Sequence, residues 1–443
     1  MYSFAIVVER KQKPKKNLFF GALLAGLREA IERIEDTRQA GKRQYSLNDA
    51  YTSAFAMFYL QDPSLLEFQR RFQEQIQKNN LATVFGVKEI PSDTQLRWII
   101  DNHDYEPLLD VFSDFINRLQ RNKTLEDYRF IGDKYLVPID GSDYFHSDSI
   151  HCEKCLTKKT GDGIDYHHQI LQSTIVHPDK RQVLPLLPEF IRNEDGKVKQ
   201  DCELVAGKRL VKKLRARHKM LEAIIVGDDL YSKQPFIEAL HESRFSFILV
   251  AKPTSHKSLF EDIEGLRNQN LLNHHEFTDK KGKRHVYEWE NKLAINGKEK
   301  SIFVNFVEYK IIDRGKVNYR NSFVTDIEIR DDNVELIVRG GRARWKIENE
   351  GFNTLKNQGY HLEHNFGHGE KNLSEAFFLL NLIAFFLHQI FELTDRAYQE
   401  ARNGFSARRE YWNMIRSIFR LFIFMNWEQV LEKINAPPGP IFP

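Results

Sequence analysis

The chain has 443 residues, 41% of them hydrophobic and 29% charged, with 65 Lys and Arg against 62 Asp and Glu. The length calls for two or three structural units, and the composition is that of an ordinary soluble globular protein rather than a disordered or fibrous one. A net charge of +3 does not by itself announce a nucleic-acid partner, and three cysteines argue against a disulfide framework and for a reducing cytosol.

Basic residues nevertheless cluster at Arg10–Lys16, Lys208–Lys219, Arg339–Lys346 and Arg402–Arg409. The N-terminus, MYSFAIVVERKQKPKK, puts its apolar run before its charges, the reverse of a secretory signal, so no targeting segment is expected. Residues 1–130 read as a helical region with the potential to bind DNA. Ser46 caps LNDAYTSAFAMFYLQ, Asp62-Pro63 opens a helix through SLLEFQRRFQEQIQ, Pro91-Ser92-Asp93 opens a third and EPLLDVFSDFINRLQR forms a fourth. Its RRF, LRW and NRLQRNK stretches are expected on the surface.

From about residue 131 the texture changes. KYLVPIDG, HHQILQSTIVHP and QVLPLLPEFI read as strands, QDCELVAGKRLVKKLRAR as a helix, AIIVGDD as a strand, KQPFIEALHES as a helix and FSFILVAKP as a fifth strand. That order fits an α/β fold with an RNase H-like catalytic core, whose first part spans 131–253. Residues 254–335 carry HVYEWENKLAI, SIFVNFVEYKII and NSFVTDIEI between turn signals, a β-rich insertion. A core helix follows over 336–372 and a helical C-terminal region over 373–443. Within the latter, AFFLLNLIAFFL falls short of the roughly 20 residues of a membrane span and is expected as a buried helix.

Two-cation chemistry at a phosphodiester needs carboxylates converging from different elements. Asp140 in VPIDGSDYF and Asp228 in AIIVGDDLYS each end an apolar strand, 228 − 140 = 88 residues apart. Either one alone is as readily a turn-capping aspartate. A regular helix through RARWKIENEGFNTLK places Trp345, Glu348, Phe352 and Leu355 on one stripe, so Glu348 is expected to face inward and Glu350 outward. A buried Glu348 then needs a partner, either metal or Arg344 one turn earlier. Arg344 and Lys356 fall on either side of Glu348 around the axis, suited to the phosphates flanking a scissile bond.

With these residues in view, the chain resembles bacterial insertion-sequence transposases of the DDE type. It is similar to the group with a β-rich insertion before the catalytic glutamate and a Tyr-Arg-Glu-Lys signature around it. The likeness runs from about Leu136 to Lys356: IDGSDYF at Asp140, GDDLYS at Asp228 with Tyr231 three residues on, and R-W-x-I-E at Arg344, Trp345, Ile347 and Glu348. Two positions depart from the pattern, because Gly341 replaces the family tyrosine and Leu355 holds the lysine's place, with Lys356 next to it. Glu350 remains a second candidate for the glutamate. The resemblance implies Asp140, Asp228 and Glu348 as catalytic and metal-binding residues, Mg2+ as cofactor with Mn2+ as substitute, and Arg344, Lys356, Tyr231 and Trp345 as DNA contacts. It further implies double-stranded DNA partners (terminal inverted repeats and target), a homodimer on paired ends, no membrane, and a bacterial cytoplasmic setting at the nucleoid. The competing readings are an RNase H-like nuclease without strand transfer and a domesticated DNA-binding protein.

Three further constellations stand outside this reading. Cys152 and Cys155, with His167 and His168 nearby and Cys202 later, are candidate zinc ligands or small buried side chains. His361, His364 and His368 are expected in a surface loop touching phosphates, with metal binding as the alternative. KRLVKKLRARHK is expected as a solvated basic face rather than a groove reader.

Overall fold

Residues 15–161, 163–193 and 202–436 are described by the computed structural model. Most of the Arg10–Lys16 cluster and Pro437, Pro438 and Pro440 lie outside these residues. The N-terminal helices are α1 (Phe20–Glu32), α2 (Leu47–Tyr59), α3 (Leu65–Phe72), α4 (Gln75–Asn80), α5 (Asp93–Asp101) and α6 (Leu109–Arg121). Ser46 caps α2 by accepting the Asp49 amide at 2.9 Å. Helix α3 starts later than expected: Ser64 rather than Pro63 supplies its start, accepting the Glu67 amide at 3.1 Å. The RRF stretch is only half a surface feature, because Arg71 is buried against Asp62 at 2.6 Å.

The core strands are β1 (Tyr135–Ser147), β2 (Leu156–Thr160), β3 (Gly163–Ile175), β4 (Leu184–Ile191), β5 (Ala223–Gly227) and β6 (Ser246–Val250). They lie side by side as β4-β3-β1-β5-β6. β1, β3 and β4 pair antiparallel and β1, β5 and β6 parallel, the arrangement of an RNase H-like core. β2 is a short addition, paired with the first part of β3. Helices α7 (Glu203–Arg217) and α8 (Gln234–Glu242) join β4 to β5 and β5 to β6.

After α9 (Lys257–Asn268) come β7 (Asn273–Thr278), β8 (Arg284–Ala294), β9 (Phe303–Asp313) and β10 (Lys316–Thr325). They do not form a separate sheet. β10 pairs antiparallel with β6, so the insertion extends the core sheet to ten strands. Every residue of β5 and β6 is buried because both faces of the sheet are covered. Ile248 meets Gly340 and Gly341 of α10 (Val334–Arg342), whereas its neighbour Leu249, pointing the other way, lies against the space beside Gly227 and Tyr231.

The expected single helix beyond Asn333 is broken. After α10 the chain turns at Ala343-Arg344, runs as a π-helical segment over Ile347–Phe352 and ends in α11 (Asn353–Asn357). The apolar run expected as a buried helix becomes α12 (Leu373–Thr394), 22 residues long, enough by length and composition to cross a membrane but mostly buried within the fold. Its polar residues are used internally. The Asn381 amide donates to Tyr360 O at 2.9 Å, and the Val183 amide donates to Gln389 at 3.1 Å. Helices α13 (Arg396–Asn403), α14 (Arg408–Leu421) and α15 (Trp427–Asn435) complete the chain. Because α12 packs on α2, α5, α6 and β4 together, the helical regions and the sheet share one hydrophobic core.

Candidate active site

The parallel register of β1 and β5 pairs Pro138 with Val226. Two residues further along each strand, on the same face, are Asp140 and Asp228. Asp228 stands just past the end of β5, but Asp140, expected to end its strand, lies within β1, which runs on to Ser147 paired with β3; both aspartates stay partly open. The π-helical segment packs on β1 and brings Glu348 to the same place. Burial pushes the Asp140 carboxyl up to about 6; Arg344 pulls it down, and Glu203, Asp228 and Glu348 push it up further. Arg344 Nη1 donates to Asp140 Oδ2 at 2.9 Å.

The paired aspartate at position 229 is otherwise employed. Its Oδ1 accepts the Lys252 amide at 2.8 Å, and its Oδ2 accepts the Ser255 hydroxyl, so it ties the β6 turn rather than facing the other acids. Asp228 uses Oδ1 to accept the Leu230 amide at 2.9 Å.

Glu203 was not singled out from sequence. It stands in the first turn of α7, and its carboxylate lies over Gly141, where a Cβ would come within 2.7 Å of Oε2. Only a glycine beside Asp140 admits this approach. Burial raises the Glu203 carboxyl, the Tyr231 hydroxyl lowers it, and Asp228 and Asp143 raise it again. The only sequence signal was an acid in a helix's first turn, which is common for dipole reasons alone.

Several expected placements need correction. Glu348 does not face the interior: it is exposed, as is Trp345 at 44%, whereas Phe352 and Leu355 are buried. The expected stripe splits because the turn at Ala343-Arg344 and the wider π segment break the 100° phase, leaving Ala343, Ile347, Gly351, Phe352 and Leu355 as the buried face. The need to compensate a buried Glu348 therefore falls away, and its nearness to Asp140 is what remains. Arg344 pairs with Asp140, not with Glu348. Tyr231, expected as a DNA contact, is fully buried, and its hydroxyl donates to Glu203 Oε1 at 2.5 Å. It is a positioning residue. Lys356 pairs with Glu363 at 2.8 Å, and Glu350 lies 3.6 Å from Arg181.

The basic residues of α7 are largely tied inward. Arg209 and Lys213 each reach Glu189 at 2.7 Å, Arg217 pairs with Asp110, and Arg215 stacks over Phe245. Gly341 explains the missing family tyrosine. A Cβ there would lie 2.5 Å from the Phe323 ring, so α10 packs too closely on β10 for any side chain. Cys152, Cys155, His168 and His368 come together as a separate group, while His364 is exposed and Cys202 stands at the start of α7.

The oxygen donors of Asp140, Asp228, Glu348 and Glu203 suit hard divalent cations, and their mutual repulsion at Asp140 is what such a cation would relieve. A family model described as a transposase DDE domain matches residues 158–387, just over half of the chain. The match takes in Asp228 and Glu348 and begins 158 − 140 = 18 residues after Asp140. No curated protein sequence matches. Among solved structures, the chain is similar to a piggyBac transposase synaptic complex with hairpin DNA, at 11% identity and a TM-score of 0.42, over 96% of this chain and 81% of that one.

Proposed function

The chain belongs to the transposase DDE-domain family, and we propose that it cuts and joins DNA at Asp140, Asp228 and Glu348, with Mg2+, or Mn2+ in its stead, held by those carboxylates. The observation that carries this reading is the gathering of Glu203, Asp228 and Glu348 around Asp140, whose carboxyl is held near 6 by burial first and by these acids second, against the pull of Arg344. Bound divalent cations would activate the attacking oxygen and steady the leaving one.

The chain's own residues do the rest. Strands β1 and β5 bring Asp140 and Asp228 onto one face, and Glu348 approaches from the π-helical segment that packs on β1. Tyr231 holds Glu203 against Gly141, which places a fourth carboxylate beside the set. Arg344 pairs with Asp140 in the free protein, and with cations held by the carboxylates its guanidinium would be free to bind a phosphate oxygen. Trp345, exposed with the Lys346 ammonium 5.0 Å from its ring centre, offers an aromatic face to the DNA. Lys356 reaches a phosphate by exchanging Glu363 for it.

In the reaction we propose, water attacks the phosphodiester at the end of the mobile element and frees a 3′-hydroxyl from the flanking strand's phosphate. That hydroxyl then attacks a phosphodiester of target DNA, displacing a new 3′-hydroxyl, so each step exchanges one P–O bond for another. The partners are the element's terminal repeats and a target duplex, with two copies of the chain on paired ends. Incubating a labelled end fragment with supercoiled plasmid and Mg2+ tests the reading. Cleavage followed by joining to plasmid is expected. Cleavage without joining identifies a nuclease, and neither product with Mg2+ or Mn2+ overturns the proposal.

A further inference from the structure

Some distance along β1 from the acids, four soft and borderline donors meet. Cys152 and Cys155 form a tight turn before β2, in which the Cys155 amide donates to Cys152 O at 3.2 Å and the Cys152 amide approaches Cys155 Sγ at 3.5 Å. His168 comes from β3, opposite Phe145 of β1. His368 comes from the loop after α11, 200 residues from His168 in the chain. Their ligand atoms all lie within 4.8 Å of one another, and His168, Cys155 and His368 are buried.

The spacing matches one tetrahedron. Zinc bonds of about 2.3 Å to sulfur and 2.0–2.1 Å to nitrogen require edges of about 3.8 Å between sulfurs, 3.5 Å between sulfur and nitrogen, and 3.3 Å between nitrogens. The sulfurs are 3.9 Å apart, three of the four sulfur–nitrogen separations are 3.6, 3.5 and 3.4 Å, and the two Nε2 atoms are 3.0 Å apart. The proton inventory agrees. His368 Nδ1 donates to Gly369 O at 2.7 Å, which leaves its Nε2 lone pair aimed at the cluster, the tautomer a metal ligand needs.

The support around His368 is rigid. Asp101 of α5 accepts the amides of Glu370, Lys371, Asn372 and Leu373 at 2.9–3.0 Å, pinning the chain immediately after the histidine. Gly367 and Gly369 adopt positive φ on either side of it. Two thiols with two imidazoles select zinc over the hard cations proposed for the acids.

We propose that Cys152, Cys155, His168 and His368 bind one structural Zn2+, closed by four protein ligands and separate from the carboxylate site. The ion staples the β1–β3 hairpin to the loop that leads from the Glu348 segment into α12. Because β3 also pairs Gln172 with Asp140, the staple fixes the loop relative to the strand that carries the first acid.

Elemental analysis of the full chain after extensive dialysis should find one zinc per chain, retained in excess Mg2+. The protein refolded with Co2+ should show the intense visible bands of tetrahedral, thiolate-ligated cobalt. Cys155→Ala and His368→Ala should lose the metal and those bands, while His364→Ala, in the same loop, keeps both. A strong zinc chelator should speed proteolysis within residues 358–372. Should the ligand variants fail to fold, the metal content and cobalt spectrum of the unaltered chain decide. Absence of zinc, an octahedral cobalt spectrum, full zinc retention by both ligand variants, or a Cys152–Cys155 disulfide without zinc would each overturn the proposal.

Discussion

Replacing Asp140 with Asn tests whether burial, with the neighbouring acids adding to it, disfavours an ionised carboxylate at this position. Folding raises the Asp140 carboxyl from 3.8 to about 6, by burial and, against Arg344, by Glu203, Asp228 and Glu348. An acid raised in the folded state contributes full stability below about 3.8, and loses it as pH rises through about 6. At pH 7.5 the ionised side chain therefore destabilises the fold by roughly 3 kcal/mol, a figure already net of the Arg344 attraction. With the side chain 21% exposed, solvent screening makes this an upper bound. Asp140→Asn is neutral throughout, so it should be more stable than the parent by up to about 3 kcal/mol at pH 7.5, about half that at pH 5, and about 0.5 kcal/mol at pH 4. Urea denaturation at the three pH values, without added Mg2+ or Mn2+, measures the difference. Adding Mn2+ should stabilise the parent more than the variant, because the variant has lost one of the carboxylate ligands. A variant no more stable than the parent at pH 7.5, or an advantage that persists undiminished at pH 4, would refute the reasoning.

Glu348→Gln should abolish strand cleavage while end-fragment binding by gel shift survives, and Glu350→Gln should still cleave; the reverse pattern moves the helix carboxylate to Glu350. Tyr231→Phe removes the hydroxyl that holds Glu203. It should destabilise the fold by about 1.5–3 kcal/mol in urea denaturation and slow cleavage without weakening DNA binding; unchanged cleavage would restrict Tyr231 to a packing role. Gly341→Ala forces a Cβ to within 2.5 Å of Phe323. It should lose about 1–3 kcal/mol of stability, partly recovered in the Gly341→Ala, Phe323→Leu double variant, and absence of any recovery would dissociate the loss from that contact.

The strands were legible for a physical reason. β5 and β6 are covered on both faces, so AIIV and FILV appear as unbroken apolar runs, and the end of the first marks where Asp228 emerges. The end of the sheet was less so. Strands β7–β10 alternate in character, but nothing local reports that β10 will pair with β6 and lengthen the core sheet. Burial of charge was also hidden: Arg71 carries a surface residue's identity and finds Asp62 only through the fold of the helical region. Glu203 and His368 are contributed over long sequence distances, to Gly141 and to the Cys152–Cys155 turn, and such meetings are properties of tertiary packing rather than of spacing.

The helix phase is the more instructive failure, because it came from a sound rule applied across a discontinuity. The 100° step holds while each residue adds one α-helical bond, and it places Glu348 beneath the helix with Phe352 and Leu355. Gly340 and Gly341 bring α10 down onto Ile248 and Phe323, and the segment after it packs on β1. The chain turns at Ala343-Arg344 and then widens over Ile347–Phe352. Ile347 and Phe352, five apart, share the buried side, and Glu348 is left on the open side near Asp140. A regular helix would have hidden the carboxylate in the core, where its charge could not serve a cation open to DNA. The 100° rule thus holds within each segment but not across the turn at Ala343-Arg344 and the wider helix after it.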